Sequence, residues 1–206
     1  MNYDREELFS YIKYLVDKLS FRIFLKNRNP SGYRRWSELM MKNHKEIKSN
    51  AGATKIVLPY KDIVIKIPYS VRDGRFNNYC EEEANNYIHA VEDIVDNFFA
   101  PCEFVGRFYY CGGSVPIYVM EKVSLNEDCN NIQGSYDFYS HSGYSYDEMS
   151  DNENLIANVF SNWYDDEDVI NLLDFIRSYG INDIHDENIG FRFSDGYPLI
   201  IDYSGY

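Results

Sequence analysis

The chain lacks the sequence features of a membrane-spanning protein, of a secreted protein and of a metal site built from cysteine thiolates. No apolar run approaches the roughly 20 residues that a membrane span needs. The four cysteines stand apart without a Cys-x-x-Cys pair, which argues against a zinc site and gives no disulfide pattern. The N-terminus carries acidic residues and no compact apolar segment, so we expect no secretory signal. These absences favour a cytoplasmic protein with reduced thiols and no membrane contact.

Positive charge is missing from one long segment of the chain. Residues 124–168 carry eleven acidic residues and no Lys or Arg, whereas residues 1–50 carry eleven Lys or Arg against six acidic residues. The net charge is −13, and an acidic field repels nucleic acid, so we expect no direct nucleic-acid binding. The acidic segment is either a solvated face or a surface for a basic protein partner, in which case it imitates a phosphate backbone.

Residues 1–50 show two helical patterns of apolar residues. In the first, Leu8, Ile12, Leu15, Val16 and Leu19 recur at helical spacing, which predicts a helix over about 4–26. The sequence Asn-Pro-Ser-Gly at 29–32 ends it. A second pattern predicts a helix that ends near residue 50.

A β-hairpin is predicted from two β-rich runs, 51–58 and 63–68, joined by a turn at 59–62, with Gly52 in the turn that opens the first run. Its second strand places Lys66 among aliphatic residues, where an unpaired buried ammonium group is costly, so Lys66 needs a partner or an exit to water. The predicted helix over 78–95 begins with Glu81, Glu82 and Glu83. These acids either supply that partner or complement the helix dipole.

Further β-rich runs are predicted at 101–106, 108–111 and 116–123, with the last two joined by a glycine turn. The segment 124–150 is rich in Asn, Ser, Gly and Tyr and is predicted to be a long irregular loop, with His141 at its surface. Two helices are then predicted. The first spans 153–163, and the second begins after the cap-like acidic cluster at 165–168 and runs to Tyr179, with Gly180 at the C′ position.

The stretch from Tyr179 to Tyr206 concentrates oxygen ligands. Asp183 and Asn188 lie five residues apart on a short loop, and an apolar run then delivers Asp202 just before a Ser-Gly turn. Oxygen ligands of this kind suit Mg²⁺, which is usually held by one or two carboxylates plus substrate phosphates. The layout indicates phosphoryl transfer. The simpler alternative is two ordinary turns that flank a hairpin.

The order of these motifs resembles that of protein kinases. Their catalytic loop carries an Asp, an Asn five residues later and a metal-binding Asp after a short hairpin, and Asp183, Asn188 and Asp202 take those places. The likeness is to small kinase-like proteins of bacteria and their viruses, and it covers about residues 50–206. The loop has lost the usual His and Arg, and only Gly52 remains of the usual three glycines.

The resemblance implies a role for each residue of the first strands and helix. Lys66 reaches the nucleotide phosphates, and Gly52 belongs to the loop that covers them. Glu83 pairs with Lys66, with Glu82 as the alternate.

The resemblance also implies which residues line an adenine pocket and which act in catalysis. Met120 guards the back of the pocket, and residues from Glu121 to Val123 present backbone groups to the adenine. Asp183 is the general base or orients the nucleophile, while Asn188 and Asp202 bind Mg²⁺. The expected cofactors are therefore ATP and Mg²⁺.

The expected fold class is α+β, as a protein-kinase-like two-lobe fold with a minimal, truncated C-terminal lobe. Residues 1–50 form a helical extension, 51–123 the N-lobe, and 124–206 a reduced C-lobe with the catalytic-loop and metal-binding motifs. Only four residues follow Asp202. We therefore expect a nucleotide pocket without a peptide-substrate groove.

Two functions remain open at this point. One is an ATP- and Mg²⁺-binding kinase-like phosphotransferase of unknown acceptor, which the retention of Lys66, Asp183, Asn188 and Asp202 favours. The other is a catalytically inactive kinase-like interaction or inhibitor protein that acts through its acidic surface. The changes in the glycine turn and in the His-Arg positions favour this second function.

Overall fold

The computed structural model describes residues 1–17, 22, 25, 50–51, 54–68, 71–72, 75–76, 78–110, 113–125 and 138–204. These residues form a mixed structure of helices and antiparallel sheets, which confirms the α+β class. The chain divides into two compact units. The first unit is Met1–Ala84 with Cys102–Glu121, and the second is Asn85–Pro101 with Lys122–Tyr206.

The helices of the described residues are α1 (Arg5–Asp17), α2 (Tyr79–Glu92), α3 (Phe138–Ser142), α4 (Asp151–Phe160) and α5 (Asp166–Tyr179). Short 3₁₀ turns span Asp96–Phe98, Tyr146–Glu148 and Asp186–Asn188. The strands are β1 (Asn50–Ala51), β2 (Lys55–Tyr60), β3 (Ile63–Pro68), β4 (Val71–Arg72), β5 (Arg75–Phe76), β6 (Cys102–Tyr110), β7 (Gly113–Glu121), β8 (Val123–Leu125), β9 (Ile189–Arg192) and β10 (Pro198–Ile200). None of these helices is long and apolar enough to cross a lipid bilayer.

The first unit is built on a five-stranded sheet in the order β1-β2-β3-β7-β6. The predicted hairpin is present as β2 and β3, which pair from Lys55 opposite Pro68 to Tyr60 opposite Ile63. Alternate residues of a strand point to opposite faces. One face is therefore aliphatic and packs with the buried side of α1 in a single core: Leu8, Ile12, Leu15, Val16, Leu25, Ile56, Leu58, Ile63, Ile65, Ile67, Val105, Val115, Ile117 and Val119.

The described part of the first predicted helix is α1. Its start is fixed by Asp4, whose Oδ1 accepts a hydrogen bond from the Glu7 amide at 2.8 Å, as expected for an N-cap aspartate. The helix is described as far as Asp17. The predicted helix that ends near residue 50, and Gly52, lie outside the described residues.

The second unit combines a three-stranded sheet, β10-β9-β8, with the helices α3, α4 and α5. Helix α4 begins with a capping box between Ser150 and Glu153. Helix α5 begins at the predicted acidic cluster, where Asp165 accepts a hydrogen bond from the Asp168 amide, and ends at Gly180 in the left-handed conformation with φ of 64°. The end of α5 therefore matches the prediction, whereas its start lies within the acidic cluster instead of after it, because Asp165 is the N-cap.

Three details differ from the sequence-based expectations. The segment 138–150 contains α3 and a 3₁₀ turn instead of a continuous loop, because the buried Phe138 packs against neighbouring tyrosine rings. The two runs around residue 107 form one strand, β6, with a bulge between Phe104 and Gly106. The run 116–123 is split, because pairing with β3 ends at Glu121 and Val123 begins a strand that pairs with β9.

Candidate functional site

The lysine and glutamate that the sequence singles out form an ion pair in the first unit. The Lys66 Nζ donates a hydrogen bond to Glu83 Oε2 at 2.8 Å. The Lys66 side chain is 4% exposed and that of Glu83 is 0% exposed. Charged side chains are almost never this buried unless they are paired. Glu82, the alternate partner, is exposed, so Glu83 is the residue of this helix that meets the lysine.

A second lysine, which the sequence reasoning missed, contacts the same carboxylate. The Lys55 Nζ donates to Glu83 Oε1, and the Lys55 side chain is 3% exposed. In the hairpin, Lys66 lies opposite Val57, and Lys55 precedes Val57 by two residues. Both lysines therefore project from the same face of the sheet. The register of the hairpin was the signal that would have identified Lys55 from the sequence.

The start of α2 is attached to a third strand of the same sheet. The Asn78 Nδ2 donates to the Tyr118 hydroxyl at 2.8 Å, and Asn78 Oδ1 accepts from the Glu81 amide at 3.3 Å. Tyr118 lies opposite Lys66 in the pairing of β3 with β7. Burial raises the pKa of Tyr118 to about 12, although the hydrogen bond from Asn78 lowers it. The phenol therefore stays protonated at neutral pH and is available as the acceptor for Asn78.

Two buried thiols lie in the electrostatic field of this lysine and glutamate group. Burial raises the pKa of Cys80 well above its ordinary value and that of Cys102 to about 12. The Glu83 carboxylate raises both further, and the lysines lower them. Because these thiols stay protonated, they behave as small apolar groups, and the lysines and Glu83 supply the charge of the site.

In the second unit, Asn188 connects the predicted catalytic loop to the strand that precedes Asp202. The Asn188 Nδ2 donates to the backbone carbonyl of Asp183 at 2.7 Å. The backbone carbonyl of Asn188 accepts from the Ile201 amide at 2.9 Å. Asn188 is 8% exposed, so its side chain is held in a nearly buried position. These bonds bring the segments that carry Asp183, Asn188 and Asp202 together.

The side-chain atoms at this place suit a hard cation. Because the Asn188 amide nitrogen is the donor to Asp183, its Oδ1 is the atom that faces away from that bond as an acceptor. Asp202 Oδ1 accepts from the Ser204 hydroxyl at 3.2 Å. An amide oxygen and a carboxylate are ligands that Mg²⁺ takes in proteins, together with phosphate oxygens and water. Within the described ranges, no group of three or more His, Cys, Asp or Glu side chains is placed to hold a metal ion.

The residue after Asp202 anchors the chain at this point. Tyr203 is fully buried, and its hydroxyl donates to the Ala100 carbonyl at 2.6 Å. Its own carbonyl accepts from Asn86 Nδ2 at 2.7 Å, and its ring lies edge-on to Phe99 with centroids 5.0 Å apart. These contacts fix the backbone beside Asp202.

The residues predicted to line an adenine pocket lie on two consecutive strands. Met120 is buried in β7, opposite Val64 and Cys102. Glu121 ends β7 in the first unit, and Val123 begins β8 in the second. Val123 also packs closely against the backbone of β9, since a Cβ built on Gly190 would lie 2.2 Å from Val123 Cγ2. Their roles toward adenine stay predictions.

Each unit therefore brings some of the predicted residues together. The first unit brings Lys66 and Glu83 together and adds Lys55. The second brings together the segments of Asp183, Asn188 and Asp202.

No protein-family model matches the chain, and no curated protein matches it. Among solved structures, the chain is distantly similar to the bifunctional kinase-methyltransferase WbdD, with a TM-score of 0.34 and 14% sequence identity over 74% of this chain and 30% of that chain. A structure of WbdD with the kinase inhibitor LY294002 gives a TM-score of 0.31 and 13% identity, over 75% of this chain and 31% of that one. The chain thus spans less than a third of the length of these proteins.

Proposed function

We propose that the protein is a kinase-like phosphotransferase that binds ATP with Mg²⁺ on a two-lobe kinase-like fold. The observation that carries the proposal is the buried ion pair between Lys66 and Glu83. A buried ion pair adds little net stability, because the cost of removing both charges from water offsets their attraction. A buried ionisable group with a specific charge partner is therefore a candidate for a functional site. A lysine held in one position by a carboxylate is suited to an anionic phosphate.

The arrangement around Asn188 supports the metal-binding half of the proposal. Asn188 Oδ1 and the Asp202 carboxylate would hold Mg²⁺, which would supply positive charge against the phosphates. The buried Tyr203 keeps Asp202 in place. The Asp183 side chain, which is half-buried, orients the acceptor hydroxyl or takes its proton.

A second function is favoured by the acidic start of α5. Desolvation raises the pKa of Asp168, and the neighbouring Asp165 and Glu167 raise it further. Residues 124–168 contain no Lys or Arg that would relieve this repulsion. A basic protein partner would relieve it, so the alternative function is that of a catalytically inactive kinase-like interaction or inhibitor protein.

Thermal unfolding with ATP, in the presence and absence of Mg²⁺, tests the first function. A ligand that binds only the folded protein stabilises it by about 2.7 kcal/mol at a hundredfold excess over its dissociation constant. We expect Mg²⁺ to increase the shift that ATP produces, and Asp202→Asn to remove that increase. Asp147→Asn, at an exposed position of the same unit, is the matched control and should keep it.

Absence of any shift at millimolar nucleotide would remove the nucleotide-binding function. In that case, neutralising Asp165, Asp166 and Glu167 tests the alternative. Association with a basic partner should weaken and lose part of its salt dependence, whereas Asp183→Ala should leave the association unchanged.

A further inference from the structure

Glu83 is held by two lysines that come from adjacent strands. Its Oε2 accepts from Lys66 in β3, and its Oε1 accepts from Lys55 in β2. All three side chains are at most 4% exposed. Each carboxylate oxygen therefore has its own cation.

This double contact fixes the orientation of the carboxylate. A carboxylate with one cation can turn about its terminal torsion, which has broad energy wells. With Lys55 on Oε1 and Lys66 on Oε2, the plane of the Glu83 carboxylate is fixed. The contact also joins α2 to β2 as well as to β3, while Asn78 joins the start of α2 to Tyr118 in β7. The helix is thus connected to three strands of one sheet.

We propose that Lys55 is a positioning residue, which orients Glu83 and through it holds Lys66 in the geometry that binds the phosphates of ATP. This inference rests on the proposed function. It assigns to Lys55 a role that acts through Glu83 and Lys66, without its own contact to the nucleotide. Its prediction is that Lys55 matters for nucleotide binding only as long as Lys66 is present.

The first test compares the affinity of three lysine variants for ATP with Mg²⁺, measured by calorimetry on protein shown to be folded by circular dichroism. Lys55→Met keeps the length of the side chain and removes its charge. We expect it to weaken binding roughly tenfold, the size expected for the loss of a hydrogen bond to a charged group. Lys55→Arg keeps the charge and should recover most of the affinity.

Lys61→Met is the matched control. Lys61 also belongs to the β2–β3 hairpin and also pairs with a glutamate, Glu7, but both side chains of that pair are more than half exposed. We expect the Lys61→Met variant to bind ATP with the affinity of the wild type. A tenfold loss in this variant would show that any lysine charge in the hairpin matters, and would overturn the inference.

The second test removes Lys66 first. In the Lys66→Met background, adding Lys55→Met should cause no further loss of affinity, because a positioning residue has nothing left to position. A further tenfold loss would mean that Lys55 contacts the phosphates itself, which contradicts the inference. If the double variant does not fold, the same comparison in the Glu83→Gln background gives the same two outcomes.

The outcomes also separate this inference from the proposed function. If wild-type protein does not bind ATP, both are wrong. If the wild type binds and Lys55→Met binds equally well, while being less stable, then Lys55 only ties α2 to the sheet. In that case the inference is wrong and the proposed function stands.

Discussion

Replacing Glu83 with Gln removes the carboxylate that Lys55 and Lys66 both contact, while it keeps the size and shape of the side chain. The two ammonium groups are 3% and 4% exposed, so water screens their charges poorly. Removing one partner from a buried ion pair typically costs about 3–5 kcal/mol, because it leaves an uncompensated buried charge. We expect Glu83→Gln to lower the free energy of unfolding by an amount in this range.

The assay is unfolding by urea and by heat, with circular dichroism as the signal that reports the folded fraction. For a chain of this size, 1 kcal/mol corresponds to about 2–4 °C in the melting temperature, so the expected decrease is about 6–20 °C. The neighbouring Glu82→Gln is the matched control, since Glu82 is exposed and surface substitutions usually change stability by less than about 0.5 kcal/mol. A Glu83→Gln variant that loses less than about 1 kcal/mol, or a Glu82→Gln variant that loses as much, would refute the assigned role of Glu83.

Two further predictions concern the second unit. Burial raises the pKa of Glu153, but hydrogen bonds from Arg177 and Ser150 outweigh this and lower it below its ordinary value of 4.5. The ionised Glu153 therefore adds stability above about pH 4.5 that is lost as the pH falls through the lowered pKa. Glu153→Gln should lower the free energy of unfolding, measured with urea, by about 1–2 kcal/mol at pH 7 and by progressively less as the pH falls toward 3. A decrease that does not depend on pH would contradict this prediction. Gly190→Ala should lower the free energy of unfolding by about 1–3 kcal/mol, because the added methyl group overpacks against Val123. An unchanged urea midpoint would show that β8 and β9 move apart without cost to make room for it.

Local rules were sufficient for several elements. Asp165, the first residue of the acidic cluster, caps the start of α5, and Gly180 supplies the left-handed residue after its end, so the cluster and the glycine located both ends to within a few residues. A lysine among aliphatic strand residues needs a partner or an exit to water, and the following helix offers acids. The choice of Glu83 as the partner of Lys66 came from the resemblance to protein kinases.

Other features depend on the register and the partners of the strands. Lys55 was missed because its position beside Lys66 appears only once the hairpin register is known. The break after Glu121 was missed because the run 116–123 is continuously β-rich, and only the end of pairing with β3 and the start of pairing with β9 divide it. Helix α3 was missed because aromatic rings supply its burial, in place of the aliphatic periodicity by which helices were identified.

The measurement that tests the central claim most directly is turnover of ATP by wild-type protein and by Asp183→Ala. The Asp183 backbone carbonyl, not its side chain, accepts the hydrogen bond from Asn188, so the alanine variant keeps that contact and should still bind nucleotide. ADP formation is followed by chromatography, and transferred phosphate by mass spectrometry. We predict turnover by the wild type and a loss of about 10²–10⁴-fold in Asp183→Ala, as expected for a general base. Equal rates in the two proteins, or no turnover by wild-type protein that binds ATP with Mg²⁺, would contradict the claim.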